Sequence, residues 1–253
     1  PWAESEAEHE PFVTPEWAKV TKHDNGSWIC ERPWPQIEMF MPLALRDNPR
    51  DSRYYEFETL FLRSTLLFWQ LELMKASLRI LFDEEAIPQR QGVYNMIHET
   101  FKPQEKHWPG GVSYTSSPPS PYYRNGGSRQ QLMMMWADNY TTSEYVAFVD
   151  SDAVFLTYVD REDLFEDGRP VINGKSGPES DSFWSRAPNS TYDYLRENEP
   201  MRCMSYFPVI VKLSHLKDLR EYIVRVHGNS RTFDEIWFDE SETNGPFQFN
   251  LIC

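Results

Sequence analysis

The chain is predicted to fold as an α/β domain with a mixed, mostly parallel central sheet flanked by helices. Three observations carry that expectation. Short apolar runs end abruptly in acidic residues, apolar residues recur at helical spacing between them, and the organised region opens in the order strand, helix, strand.

Residues 1–35 are acidic, carry Pro and Trp and show neither helical nor strand period, so they read as a stem or N-terminal arm ahead of a domain spanning 36–253. Ile37 to Leu45 is a first buried strand, stopped by Arg46-Asp47-Asn48-Pro49. Phe57, Leu60, Phe61, Leu67 and Phe68 then mark one long helix from about Tyr54 to Met74. Ser77 to Phe82 forms a second strand ending in Asp83-Glu84-Glu85. A strand, helix and strand in that order imply a right-handed parallel crossover. Ligands in such sheets bind beyond the carboxyl ends of the strands, which puts Arg46, Asp47 and Asp83 on the ligand-facing rim.

The Pro-, Gly-, Ser- and Tyr-rich stretch from Lys102 to Gly127 is too long for an ordinary connection and reads as a functional loop or lid, or else a disordered insertion. Ser128 to Asn139 is helical, and Glu144 to Val149 is a buried strand that runs straight into Asp150-Ser151-Asp152. Pro170 to Asn173 is a short strand. Gly174-Lys175-Ser176-Gly177 reads as a plain β-turn, since it lacks the glycine spacing and following helix of a phosphate loop. Tyr206 to Lys212 is a strand whose Pro208 points to a sheet edge or to the first residues of the ladder. After it, Ser214 suits the N-cap of a helix that turns Leu216, Leu219, Ile223 and Val226 inward and stops at Gly228.

Composition narrows the function classes. A formal net charge of −14, with no cluster of Lys and Arg, speaks against a nucleic-acid partner. No apolar run approaches the roughly 18–20 residues that span a bilayer, so the stretch reads as a mature or trimmed soluble piece, and any anchor of the full protein lies elsewhere. Cys30, Cys203 and Cys253 allow one disulfide with one thiol left over, or three free thiols. Sequons at Asn25, Asn139 and Asn189 favour the secretory pathway and a Golgi lumen, with the cytoplasm as the alternative.

The chemistry centres on Val149-Asp150-Ser151-Asp152-Ala153. An Asp-x-Asp by itself says little, but its position does. Two carboxylates that end an apolar strand are poorly solvated and repel one another, which a cation between them relieves. Hard oxygen ligands of this kind suit Mg²⁺ or Mn²⁺ and leave coordination sites open for phosphate oxygens.

Ser128-Arg-Gln-Gln-Leu-Met-Met-Met-Trp-Ala-Asp138 followed by Thr142-Ser-Glu-Tyr-Val-Ala-Phe-Val-Asp-Ser-Asp-Ala-Val-Phe155 resembles the helix and DxD strand of GT-A glycosyltransferases. The resemblance extends over Ile37 to Cys253 and is strongest over Ser128 to Phe155. It implies a single Rossmann-like GT-A catalytic domain that moves a sugar from a nucleotide-sugar donor, UDP-linked by expectation, to a hydroxyl of a glycan or glycoprotein. Asp152 would bind the metal directly, Asp150 would contact the ribose or reach the metal through water, and Ser151 would sit between them. The resemblance also implies that Arg129 faces the diphosphate or holds Asp150, and that Asp83 and Arg46 contact the base or ribose. Asp234, with Glu235 behind it, would be the base for the acceptor hydroxyl. His227, or else His215, would be a late third metal ligand, and the tail from Ser241 to Cys253 would line the acceptor side. Two rival readings use the same residues. The abundant carboxylates and aromatics suit a glycoside hydrolase, and a carbohydrate-binding protein that kept the fold without the chemistry is the other.

Overall fold

The computed structural model describes residues 20–22, 28–30, 35–43, 56–83, 91–118, 126–172, 174–176, 194–195, 201–203, 207–244 and 251. The chain divides into two compact units, Pro1–Trp34 and Pro35–Cys253. In the first, strands Val20–Lys22 and Trp28–Cys30 pair antiparallel. The second holds a five-stranded sheet built from β1 (Ile37–Leu43), β2 (Ser77–Asp83), β3 (Val112–Ser117), β4 (Tyr145–Phe148) and β5 (Val209–Lys212).

The strand order is β3-β2-β1-β4-β5. The first four are parallel, while β5 runs antiparallel to β4 on the edge. This is an α/β, Rossmann-like domain with a mixed, mostly parallel sheet. β1 and β4 are buried at every position, as strands covered on both faces must be.

Two layers of helix cover the sheet. On one face α3 (Gly126–Met135) and α4 (Leu213–Val226) pack Met133, Met134 and Leu216 against Phe40, Leu81, Val146 and Phe148. On the other face a π-helical stretch, Phe57–Leu62, leads into α1 (Arg63–Phe68). There Phe57 meets Phe101 of α2 (Gln91–Phe101), which in turn meets Tyr114 of β3. α4 ends in a Schellman turn: the Asn229 N–H reaches the Val224 carbonyl at 3.1 Å, and Gly228 takes the left-handed conformation at φ +88°. A last helix, α5 (Phe233–Asn244), closes a second core in which Trp237 and Ile223 are fully buried.

Several expectations are corrected. The helix expected from Tyr54 to Met74 breaks at Trp69, whose backbone turns extended to bridge Val159 and whose ring packs on Phe155 at 5.3 Å. The expected lid contains β3. Its Val-Ser-Tyr-Thr-Ser-Ser sequence is too polar to look buried, because an edge strand is only half covered. Residues 119–125 of that stretch lie outside the described residues. Gly174–Ser176 is a strand paired with Met201–Cys203 rather than a turn. Near the expected strand at 170–173, the chain makes a two-residue ribbon, Phe165–Glu166 with Arg169–Pro170. Ser214 lies in the first turn of α4, whose N-cap is Lys212 with no side-chain bond.

Gly110 feeds β3, and its N–H bonds the Ala76 carbonyl at 3.0 Å. A Cβ there would stand 2.8 Å from the Ser77 Cβ and 2.9 Å from the Lys75 carbonyl oxygen, inside contact distance of backbone that cannot swing away. Gly110→Ala should therefore lose about 1–3 kcal/mol by overpacking, read as a lower urea midpoint at unchanged m-value.

Candidate functional site

The chain lays down β1, β2 and β3 outward to one edge, then returns to begin β4 on the other side of β1. The strand order therefore reverses between β1 and β4, and the crevice beyond their carboxyl ends is where open α/β sheets bind ligands. β4 continues one residue past its last pair, with the Val149 N–H on the Phe40 carbonyl at 3.2 Å, and Asp150 follows at the mouth of that crevice. A turn closed by the Ala153 N–H on the Asp150 carbonyl, at 3.1 Å, half buries Ser151 and leaves Asp152 exposed.

The first turns of α3 tie the strand ends together. Gln130 donates its amide to Asp150 Oδ1 at 3.0 Å and reaches the Pro42 carbonyl of β1 at 3.5 Å, so one side chain spans the switch point. Its neighbour Arg129 turns to the other pair of strands. The Arg129 Nε lies 2.5 Å from Asp83 Oδ1 at the end of β2, and Nη2 donates to the Pro118 carbonyl just past β3 at 3.1 Å. Both members of that ion pair are buried, with side chains 3% and 4% exposed.

The expectation that Arg129 holds Asp150 is thus corrected: Gln130 does, and Arg129 and Asp83 face each other. Gln130 belongs to the Gln-Gln-Leu pattern of the helix, but nothing in an uncharged amide marks it as the partner of a carboxylate. Arg46, Asp47 and Cys253 lie outside the described residues, as does most of the tail after Asn244.

Burial pushes the Asp150 carboxyl up to about 6, the nearby Asp152 charge adds to the rise, and the Gln130 bond opposes it. A carboxylate that is uncomfortable with its own charge beside a second, exposed one is an acceptor-only oxygen set to which a hard divalent cation is suited. Among the described residues no group of three His, Cys, Asp or Glu forms, so this turn offers two protein ligands.

The other acidic candidates lie elsewhere. Asp234 Oδ1 accepts the indole N–H of Trp136 at 2.8 Å. Trp136 follows the last residue of α3, six positions beyond Gln130 and so roughly 9 Å further along the helix. Asp150 is held from the second turn of α3 and Asp234 from just past its last residue, so the two are not held by one turn of the helix. Glu235 caps α5: its Oε2 accepts the Thr232 N–H at 2.7 Å, and its own N–H returns to Thr232 Oγ1 at 3.3 Å. That backbone bond from Thr232 holds the Glu235 carboxyl below its usual range. His227 is committed to the corner between α4 and α5, with Nε2 3.1 Å from the Tyr194 carbonyl oxygen and Nδ1 3.3 Å from Arg231 Nη2. His215 is exposed in the first turn of α4.

Burial raises the Asp234 carboxyl above its ordinary value, against the opposing effects of the Trp136 bond and the Arg220 charge. The folded state therefore binds that proton more tightly than the unfolded chain does. The stability this confers is present at low pH and lost as pH rises through the raised value. Asp234→Asn should melt at or above the wild-type temperature at pH 7, and the difference should close below about pH 4, followed by thermal melts across that range.

A family profile matches residues 35–233, and its description is a family of unknown function, DUF6492. The chain belongs to the DUF6492 family. No curated protein matches it. The DUF6492 match begins where the second unit begins and takes in Asp83, Arg129, Gln130, Asp150 and Asp152, whereas Asp234 and Glu235 fall just beyond its end. Among the described residues of this DUF6492 chain, no helix is long and apolar enough to cross a membrane.

Proposed function

We propose that the chain is a metal-dependent glycosyltransferase of the GT-A type, taking a sugar from a UDP-linked donor to a hydroxyl of a glycan or glycoprotein. One observation carries the reading: the Asp150–Asp152 turn stands at the switch point of the sheet, with Gln130 bonded to both Asp150 and the end of β1. Asp150 and Asp152 would hold Mn²⁺ or Mg²⁺, which supplies Lewis-acid neutralisation of the charge that builds on the departing diphosphate.

The chain's own residues do the positioning. Gln130 fixes the orientation of the Asp150 carboxylate, as the outer partners of metal ligands do. Arg129 and Asp83 lock α3 over the ends of β2 and β3, so that Gln130 is carried on a rigid element. Asp152 is exposed on the turn. Asp234 is not assigned the acceptor proton, because it stands at the far end of α3. Secretory-pathway residence belongs to the same proposal.

The test is a panel of UDP-, GDP- and CMP-sugars incubated with the protein and Mn²⁺, with free nucleotide as the readout. The reading predicts release from one nucleotide class, abolished by chelator. Turnover of a glycoside that survives chelator would favour the hydrolase reading instead, and no turnover of any donor or glycoside would favour a binding protein.

A further inference from the structure

We propose that the cavity at the far end of α3 is a carbohydrate-binding site, separate from the Asp150–Asp152 turn and independent of it. The cavity has a volume of about 920 Å³, at the upper end of the roughly 300–1,000 Å³ of ligand pockets, and its walls include Trp136, Asp138, Asn139, Arg220, Thr232 and Asp234.

The charges in its wall nearly cancel. Arg220, itself buried, gives both arms of its fork to Asp138 at 2.8 and 2.6 Å and lies over the Trp136 ring at 3.9 Å from the centroid. Lys217 pairs with Glu221 one turn away on α4 at 3.8 Å. Asp234 is the carboxylate that remains, bonded to the Trp136 indole N–H. A wall so balanced favours neither a polyanion such as a nucleotide diphosphate nor a strongly basic peptide.

What the wall does offer is a mixture of acceptors and donors. Asp234 and Glu221 keep lone pairs to accept with, Lys217 has ammonium protons to donate, and Asn139 does both, while Arg220 and Asp138 are spent on each other and the Thr232 hydroxyl donates to Glu235. Sugar hydroxyls also do both, and the apolar C–H faces of a pyranose suit half-buried Trp136 and Val224 in the same wall. The supports of the site are rigid. Phe233 packs edge-on against Trp136 at 5.9 Å, and the Thr232–Glu235 cap fixes the start of α5 beneath Asp234.

The experiment uses protein made in bacteria, applied in EDTA to a glycan array alongside Asp152→Asn and Val224→Trp. A defined group of glycans should bind, equally to wild type and Asp152→Asn. Calorimetry with the best of them should show a loss of about tenfold or more in Val224→Trp, which fills the cavity. Asn139→Ala, at an exposed rim position, should weaken binding without touching the core and serves if Val224→Trp does not fold. Array silence from a protein that still binds UDP with Mn²⁺ would overturn this site while leaving the donor site standing. Binding that vanishes in Asp152→Asn, or that persists undiminished in both cavity variants, would overturn it as well.

Discussion

Arg129→Leu should destabilise the domain by about 3–5 kcal/mol, the cost of breaking a buried ion pair and leaving its partner charged and uncompensated. Asp83 would be that partner, buried at the end of β2 with its Oδ1 2.5 Å from the lost Nε. The Pro118 carbonyl would also lose a donor. The double variant Arg129→Leu/Asp83→Leu should recover much of the loss, because two apolar side chains no longer strand a charge. Urea melts of the two singles and the double give the coupling directly. A single variant within 1 kcal/mol of wild type would mean that the pair is not what locks α3 across the strand ends.

The second large effect is on chemistry rather than stability. Asp152→Asn should lower metal-dependent donor turnover by about 10²-fold or more, the scale seen when a group that stabilises developing charge is removed. Its melting temperature without ligand should barely move, since Asp152 is exposed. Gln130→Ala should act more gently, weakening metal-dependent binding by about 10–100-fold through a loosened Asp150. The contrast matters because a merely structural Gln130 would alter the melt of the free protein and leave metal dependence alone.

How far the sequence foretold this arrangement differs from residue to residue. β4 and its two aspartates were legible because a buried strand on a doubly covered sheet is apolar at every position, so the change to Asp150 is abrupt. β3 was not, since half-covered edge residues such as Ser113 and Thr115 look like loop. On α3 the rim was legible but the partner was not. Consecutive helical residues point about 100° apart, so whether Arg129 or Gln130 meets Asp150 depends on how the helix is rotated on the sheet. That rotation is fixed by Met133 and Met134 packing on Phe148 and Val146, a contact no local pattern reports.

The place of Asp234 was illegible for a similar reason. Its local sequence, Thr232-Phe233-Asp234-Glu235, announces a helix start, and the structure has one there. Where that start sits is decided by long-range aromatic packing, Phe233 on Trp136 and Tyr194 on Trp237 at 5.1 Å. Those contacts carry Asp234 to the end of α3 away from Asp150. The helix expected through Trp69 failed on the same kind of contact, a single aromatic drawn out of the helix to pair with Val159.

The central claim is that Asp150 and Asp152 hold a divalent cation that grips a nucleotide diphosphate. Calorimetric titration of UDP into the protein, with and without Mn²⁺ and with Asp152→Asn alongside, tests it most directly. The account predicts saturable binding that requires Mn²⁺ and is lost in the variant. Binding of equal affinity in chelator, or binding that Asp152→Asn leaves unchanged, would contradict it.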